Sequence, residues 1–125
     1  MSRIVLWVSN LNHQAGFYSA LLAAPISSGT SEFAEVSDGQ NSVLIHLLPE
    51  KYRTSVNAGE VAQVREEAAI KPVFIVNDID SAQSRVEKFS VSFGSEKSVY
   101  GDLAYLDCID PEGNVIQISQ KALRS

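Results

Sequence analysis

The chain has 125 residues and a mass of 13.6 kDa, which allows one domain with its own hydrophobic core but not two independent folds. A net charge of −5, with ten basic residues scattered along the sequence, argues against nucleic acid as a partner, and no apolar run approaches the roughly 20 residues that a membrane span requires. The single cysteine, Cys108, excludes an intramolecular disulfide, and an opening without a signal-peptide cleavage pattern predicts a cytoplasmic protein.

Two segments of the sequence repeat each other without a gap. RIVLWVSNLN, residues 3–12, aligns with KPVFIVNDID, residues 71–80, and each reads as a strand that runs into the start of a helix. A looser repeat, which needs a one-residue gap, relates residues 32–47 to residues 103–118. Duplication of this kind typically builds a pseudo-symmetric sheet with a cavity between its halves, so the sequence predicts one module used twice.

The first module is predicted to contain a strand, a helix and three further strands. The apolar run of residues 3–8 is typical of a strand that is covered on both faces. Asn10 and Asn12 offer capping side chains for the helix that follows, and Pro25 ends it. Asp38-Gly39 predicts a hairpin between the last two strands. The elements are expected over residues 3–8, 13–24, 25–31, 32–36 and 42–48, the third of them being a turn or a short strand.

The second module is predicted to repeat this pattern after a connection, residues 49–70, that lacks the hydrophobic alternation of its neighbours. Its helix begins after Asp78 or Asp80, either of which offers a capping carboxylate. The turn Asp110-Pro111-Glu112-Gly113 has residues that a type I turn prefers, which predicts a second hairpin. The strands are expected over residues 73–76, 97–100, 104–109 and 114–120.

The order and spacing of these motifs resemble those of the vicinal oxygen chelate superfamily, which includes glyoxalase I, the bleomycin resistance proteins and the extradiol dioxygenases. The resemblance is carried by VSNLN and FYSALL between Val8 and Leu22, FIVNDID from Phe74 to Asp80, and DPEGNVIQI from Asp110 to Ile118. It covers residues 1–125 as a single domain, with module one at 1–48 and module two at 71–125. It implies an α+β fold in which the curled mixed sheets of two βαβββ modules enclose a cavity that often holds a divalent metal. It also implies a homodimer.

Metal-dependent members of this superfamily place one His or Glu ligand at each of four pseudo-equivalent strand positions facing the cavity. In this sequence the resemblance maps those positions onto Arg3, His46, Lys71 and Gln117. Strand alternation by itself also puts His46 and Gln117 on the side opposite their uniformly apolar neighbours. Two permanent cations and a neutral amide around one imidazole would repel a divalent ion and would provide only one good ligand. We therefore expect neither a metal nor any other cofactor.

The same residues suit a small organic ligand held in the cavity between the modules. Arg3 and Lys71 would form an anion pocket if both point inward, or would extend into solvent from the strand starts. His46 would act as a general base or have a structural role, and Gln117 would orient a ligand carbonyl group. Trp7 would provide a flat wall for an aromatic ligand or would pack in the core.

The sequence thus predicts a metal-independent small-molecule binding protein without turnover, whose ligand-binding residues are Arg3, Trp7, His46, Lys71 and Gln117. The alternative is an enzyme, a lyase or isomerase of the glyoxalase type, which would use an unrecognised metal site or acid–base chemistry by His46. A third hypothesis is an assembly module whose cavity is filled by its own side chains. These hypotheses differ in whether the cavity has an open aromatic wall, a titratable group beside His46, or packed side chains.

Overall fold

The first half of the chain folds as a strand, a helix and three strands. In the computed structural model, which describes residues 2–54 and 63–121, these elements are β1 (Ile4–Val8), α1 (Leu11–Leu22), β2 (Ile26–Gly29), β3 (Phe33–Ser37) and β4 (Ser42–Leu47). They form a mixed sheet in the order β1-β4-β3-β2, in which β1 and β4 are parallel and the other pairs are antiparallel. The predicted hairpin at Asp38-Gly39 is confirmed, and the segment predicted as a turn or a short strand contains the edge strand β2.

The second half repeats this arrangement with one difference. Its elements are β5 (Val73–Ile75), α2 (Ile79–Arg85), β6 (Ser92–Phe93), β7 (Ser98–Tyr100), β8 (Leu103–Ile109) and β9 (Val115–Lys121). The sheet order is β5-β9-β8-β6, and β7 also pairs with β8. Two short strands, β6 and β7, therefore pair with β8, whereas in the first module β2 alone occupies the corresponding place beside β3. The sequence predicted only the second of the two. Two mixed sheets with one helix each confirm the predicted α+β fold of two βαβββ modules.

Short 3₁₀ helices at Glu50–Tyr52 and Glu87–Phe89 follow β4 and α2. The predicted connection, residues 49–70, includes residues 55–62, which lie outside the described part of the chain.

For each α-helix, the first of the two residues predicted as a cap is the N-cap, directly before the helix. Asn10 is extended, and its side-chain Oδ1 accepts a hydrogen bond of 3.1 Å from the backbone N–H of His13. Asp78 accepts hydrogen bonds from the hydroxyl and the backbone N–H of Ser81 at 2.6 and 2.9 Å, and these bonds lower the pKa of Asp78. Neither helix in the described ranges is long and apolar enough to cross a membrane.

Both modules share one hydrophobic core. Its fully buried members include Val8, Phe17, Val43 and Ile45 from the first module and Phe74, Ile79, Ile116 and Ile118 from the second. Helix α1 packs against α2 and against β3 and β4, and the ring of Tyr18 lies 5.6 Å from that of Phe74 in β5. The core-facing side of each sheet is therefore turned toward the helices, and the opposite side of each sheet is left outside this core.

A buried carboxylate joins the two modules within the core. Asp110, which is 2 % exposed, accepts hydrogen bonds from the amide of Gln14 at 3.1 Å and from the hydroxyl of Tyr18 at 2.7 Å, both in α1. Its other oxygen accepts the backbone N–H groups of Glu112 and Asn114, which close the second hairpin. Burial of the phenol, together with the adjacent negative charge of Asp110, raises the pKa of Tyr18 well above 10.0.

Candidate functional site

The side of the first sheet that faces away from the helices carries three of the predicted site residues. Along β4, Val43 and Ile45 are fully buried, whereas Leu44 and His46 on the opposite side are only partly buried. Trp7, on the same side in β1, has 54 % of its surface exposed. The alternation that the sequence predicts for β4 is therefore present, and Trp7 lies outside the core rather than within it.

An aromatic row crosses this face. Strand register places Trp7 beside His46, and His46 beside Phe33. The ring centroids of Trp7 and His46 are 4.3 Å apart with the planes tilted by 43°, and those of His46 and Phe33 are 6.5 Å apart and nearly parallel. Because the indole is half exposed, its ring presents an apolar surface on which a flat ligand can stack.

A hydrogen bond to the backbone defines the chemistry of His46. Its Nδ1 lies 3.0 Å from the carbonyl oxygen of Leu47. Because a carbonyl oxygen only accepts hydrogen bonds, this contact requires the proton on Nδ1, and the neutral ring then has an unprotonated Nε2. The imidazole can accept a hydrogen bond from a ligand hydroxyl or N–H group at that nitrogen.

The other end of the same face is polar. The guanidinium of Arg3 forms an ion pair of 2.8 Å with Glu35, and its Nε donates to the hydroxyl of Ser42 at 3.3 Å. These three residues and Ser37 line a pocket of about 360 Å³. The charge of Arg3 is thus paired with a carboxylate on β3, which is separated from β1 by β4.

The two remaining predicted residues lie on the second sheet and share one carboxylate. Lys71 forms an ion pair of 3.3 Å with Asp107, and the amide of Gln117 donates to the same carboxylate at 3.0 Å. Both members of the ion pair are about half exposed. The ammonium group predicted for an anion pocket and the amide predicted to orient a ligand carbonyl are therefore both engaged with Asp107.

Strand register distinguishes His46 from Gln117. In the first module Trp7 pairs with His46. The repeat aligns Trp7 with Ile75, but Ile75 pairs with Ser119 in the second module. Gln117 pairs with Val73 instead. The second parallel pair is thus displaced by two residues relative to the first. A shift of two residues keeps every side chain on its original face but moves Gln117 along the sheet, away from the position that corresponds to His46.

The predicted site residues therefore form two groups in one chain. Trp7 and His46 are in contact, Arg3 lies on the same face, and Lys71 and Gln117 meet at Asp107 on the other sheet. Within residues 2–54 and 63–121, no hydrogen bond, ion pair or ring contact joins the first group to the second.

These positions do not fit the divalent metal that the superfamily often holds. One imidazole is the only good ligand among Arg3, His46, Lys71 and Gln117, and both cations would repel a metal ion. Over the described ranges, no three His, Cys, Asp or Glu side chains come together in a group that could hold a metal ion.

Three contacts of this site involve residues outside the predicted set. Glu35, Asp107 and Phe33 are the partners of Arg3, Lys71 and His46 respectively. Their alternation with buried neighbours was the available signal, because Glu35 lies between Ala34 and Val36 and Asp107 lies between Leu106 and Cys108. The pairings themselves join separate strands, which a pattern along one strand does not reveal.

Cys108 is not part of the site. Its side chain faces the core, and burial, with smaller contributions from Asp110 and Asp107, raises the pKa of its thiol to about 12. The residue is a small buried apolar group rather than a nucleophile.

No protein-family model and no curated protein sequence matches the chain. Solved structures do. A glyoxalase/bleomycin resistance protein from Albidiferax ferrireducens is 17% identical, with a TM-score of 0.67 over 97% of this chain and 98% of that one. The bleomycin resistance determinant encoded on the transposon Tn5 is 12% identical, with a TM-score of 0.64 over 98% of both chains. A lactoylglutathione lyase from Agrobacterium tumefaciens is 16% identical, with a TM-score of 0.62 over 96% of this chain and 92% of that one.

Proposed function

Because this chain has the fold of the vicinal oxygen chelate superfamily, which glyoxalase and bleomycin resistance proteins share, we propose that it binds a small organic molecule and needs no metal to do so. The observation that carries the proposal is the half-exposed indole of Trp7 in contact with His46, on a sheet face outside the core. An aromatic ligand that stacks on the indole gains about 0.5–1.5 kcal/mol beyond the burial of its surface. The unprotonated Nε2 of His46 adds a hydrogen-bond acceptor beside that surface.

The proposal includes a second copy of the chain. Val5 and Trp7 on the first sheet and Val73 and Ile75 on the second are 46–54 % exposed, and all four lie on the sides that face away from the helices. Two apolar sheet faces of this kind favour association. We propose a homodimer in which the face of Trp7 in one protomer is covered by the face of Lys71 and Gln117 in its partner, so that a ligand is enclosed between them.

An enzymatic role is the second candidate, and the tautomer of His46 favours it. A neutral imidazole with an unprotonated Nε2 is suited to accept a proton from a bound substrate. The metal-dependent form of this candidate, a glyoxalase-type lyase or isomerase, would need ligands that Arg3, Lys71 and Gln117 do not supply. We therefore favour binding without turnover.

The test is calorimetric titration of chelator-treated protein with 2-naphthol and with its saturated analogue, decahydro-2-naphthol. We expect 2-naphthol to bind about two- to tenfold more tightly, because the saturated ring cannot stack on the indole. The Trp7→Ala variant should lose this preference, whereas Tyr52→Ala, an exposed aromatic residue in the 3₁₀ helix Glu50–Tyr52, should retain it.

Equal affinity for the two ring systems would contradict the aromatic site. Near-stoichiometric metal in protein purified without chelator, together with a raised thermal midpoint after addition of zinc, nickel, manganese or iron, would contradict metal independence and favour the lyase.

A further inference from the structure

The sheet face that carries the proposed ligand site is aromatic at one end of its strands and polar at the other. Its rows are set by register: Trp7, His46 and Phe33 form the aromatic row, and Ser42 and Ser37 pair in a polar row at the other end. Ser42 and His46 are four residues apart on β4, which corresponds to about 13 Å. A molecule that contacts both rows is therefore elongated, with a flat ring at one end and a polar group at the other.

The polar end is an ion pair with unused hydrogen-bonding groups. Arg3 uses Nη2 for Glu35 and Nε for Ser42, and within the described part of the chain its Nη1 makes no hydrogen bond. Glu35 contributes Oε2 to the ion pair, and its Oε1 accepts no hydrogen bond from the described residues. Two N–H donors and one carboxylate oxygen are thus available beside the pocket of about 360 Å³ that these residues line.

The charge of this pair selects the polar group of the ligand. A carboxylate placed against Arg3 also approaches Glu35 and is repelled by it, and an ammonium group placed against Glu35 meets the same difficulty with Arg3. A zwitterionic group satisfies both residues, because its carboxylate accepts from the guanidinium while its ammonium donates to Glu35. The ion pair therefore disfavours singly charged ligands of either sign.

We infer that this sheet face recognises an elongated aromatic zwitterion, with the ring on Trp7 and the amino and carboxylate groups in the pocket beside the ion pair of Arg3 and Glu35. The inference rests on the proposed function, since it names the class of ligand for the same face. Val5 and Leu44, which lie between the two rows, would contact the aliphatic part of the molecule.

Three probes that share a phenylhexyl chain test this. They are 6-phenylhexanoate, 6-phenylhexylamine and 2-amino-6-phenylhexanoate, which are an anion, a cation and a zwitterion at neutral pH. Trp7 is the single tryptophan of the sequence, so its fluorescence reports binding at the site. We expect the zwitterion to bind about tenfold more tightly than either of the other two, as one additional charge-assisted hydrogen bond would produce.

Two substitutions should each remove the advantage of the zwitterion, one in favour of the anion and the other in favour of the cation. Glu35→Gln should make the anion bind at least as tightly as the zwitterion, and Arg3→Gln should do the same for the cation. Lys97→Gln, which removes a cation that is paired with Asp80 of α2, should leave the order unchanged.

Equal affinity of all three probes for the wild-type protein would overturn the ligand class and leave the aromatic site intact. An unchanged order in both Glu35→Gln and Arg3→Gln would overturn it as well. No change in Trp7 fluorescence with any probe would count against this inference, and the naphthol titration would then decide separately whether the aromatic site exists.

Discussion

Glu112 and Arg85 bind opposite ends of the same helix. The carboxylate of Glu112 accepts the backbone N–H groups of Ser9 and Asn10, at 2.8–2.9 Å, where α1 begins. The guanidinium of Arg85 donates to the carbonyl oxygens of Ala20 and Leu21, at 2.6 and 2.8 Å, where α1 ends. A negative charge at the N-terminus and a positive charge at the C-terminus both complement the helix dipole. Both residues belong to the second module, so the helix of the first module is completed by the second.

Glu112→Gln should therefore destabilise the protein by about 1–3 kcal/mol, because charge-assisted hydrogen bonds to two backbone N–H groups are replaced by weaker ones at a position that is 9 % exposed. Urea unfolding measures the change. Glu50→Gln, at an exposed glutamate, is the matched control and should be close to neutral. An equal effect of the two substitutions would mean that the contact with α1 contributes nothing.

Tyr18 should make the protein sensitive to alkali. Since burial and Asp110 raise the pKa of Tyr18 above its unfolded value of 10.0, its contribution to stability is complete below pH 10 and is lost as the pH rises further. Tyr18→Phe should cost about 1–3 kcal/mol at pH 7, through the lost hydrogen bond to Asp110, and should flatten the decline above pH 10. Denaturant unfolding of both proteins from pH 7 to 11 measures this, and parallel declines would exclude Tyr18 as the source.

Gly113 should tolerate no side chain. Its φ is 88°, and an added Cβ would overlap the carbonyl oxygen of Gln63, which packs on the hairpin. Gly101 has a similar φ of 62° with open space around it, so Gly101→Ala measures the backbone cost alone, about 1–2 kcal/mol. Gly113→Ala should destabilise by clearly more than that in the same unfolding experiment. Equal losses would show that Gln63 moves aside freely.

Cys108 should be unreactive in the folded protein. A thiol with a pKa of about 12 is almost entirely protonated at pH 8, and burial also blocks access to reagents. A colorimetric thiol reagent should therefore react at a rate set by unfolding and accelerate when urea is added. Fast stoichiometric reaction without urea would contradict the buried placement.

The proposed homodimer should depend on the exposed apolar face of β5. Ile75→Asp places a charge on a side chain that is 48 % exposed, so the monomer should keep its fold while association is lost. Sedimentation analysis gives the mass, and circular dichroism checks the fold. Val99→Asp, at a more exposed position on the edge strand β7, is the control and should remain dimeric.

The sequence predicted local features of this fold well. The caps Asn10 and Asp78, the two hairpins and the alternation of buried and exposed residues in β4 follow from interactions between neighbours along the chain. Strand β6 was not predicted, because a strand of two residues is defined by its pairing with β8 rather than by its own pattern.

Less of the candidate site was predictable. Alternation assigns a residue to a face of a sheet, but it does not fix which residues of two parallel strands lie side by side. The two-residue displacement that separates Gln117 from the position equivalent to His46 is therefore invisible in the repeat. The ion pairs of Arg3 with Glu35 and of Lys71 with Asp107 likewise depend on strand pairing, and they determine how the cations act.

The contacts between the modules also determine whether one module could fold without the other. The two halves still have the same backbone plan, but helix α1 depends at both ends on residues that occur after residue 80. A fragment that stops at residue 48 would lack Arg85, Glu112 and the aromatic partner of Tyr18 in β5, although it contains every strand of its own sheet. A single module is therefore not expected to fold alone, and the smallest folding unit of this chain is the two modules together.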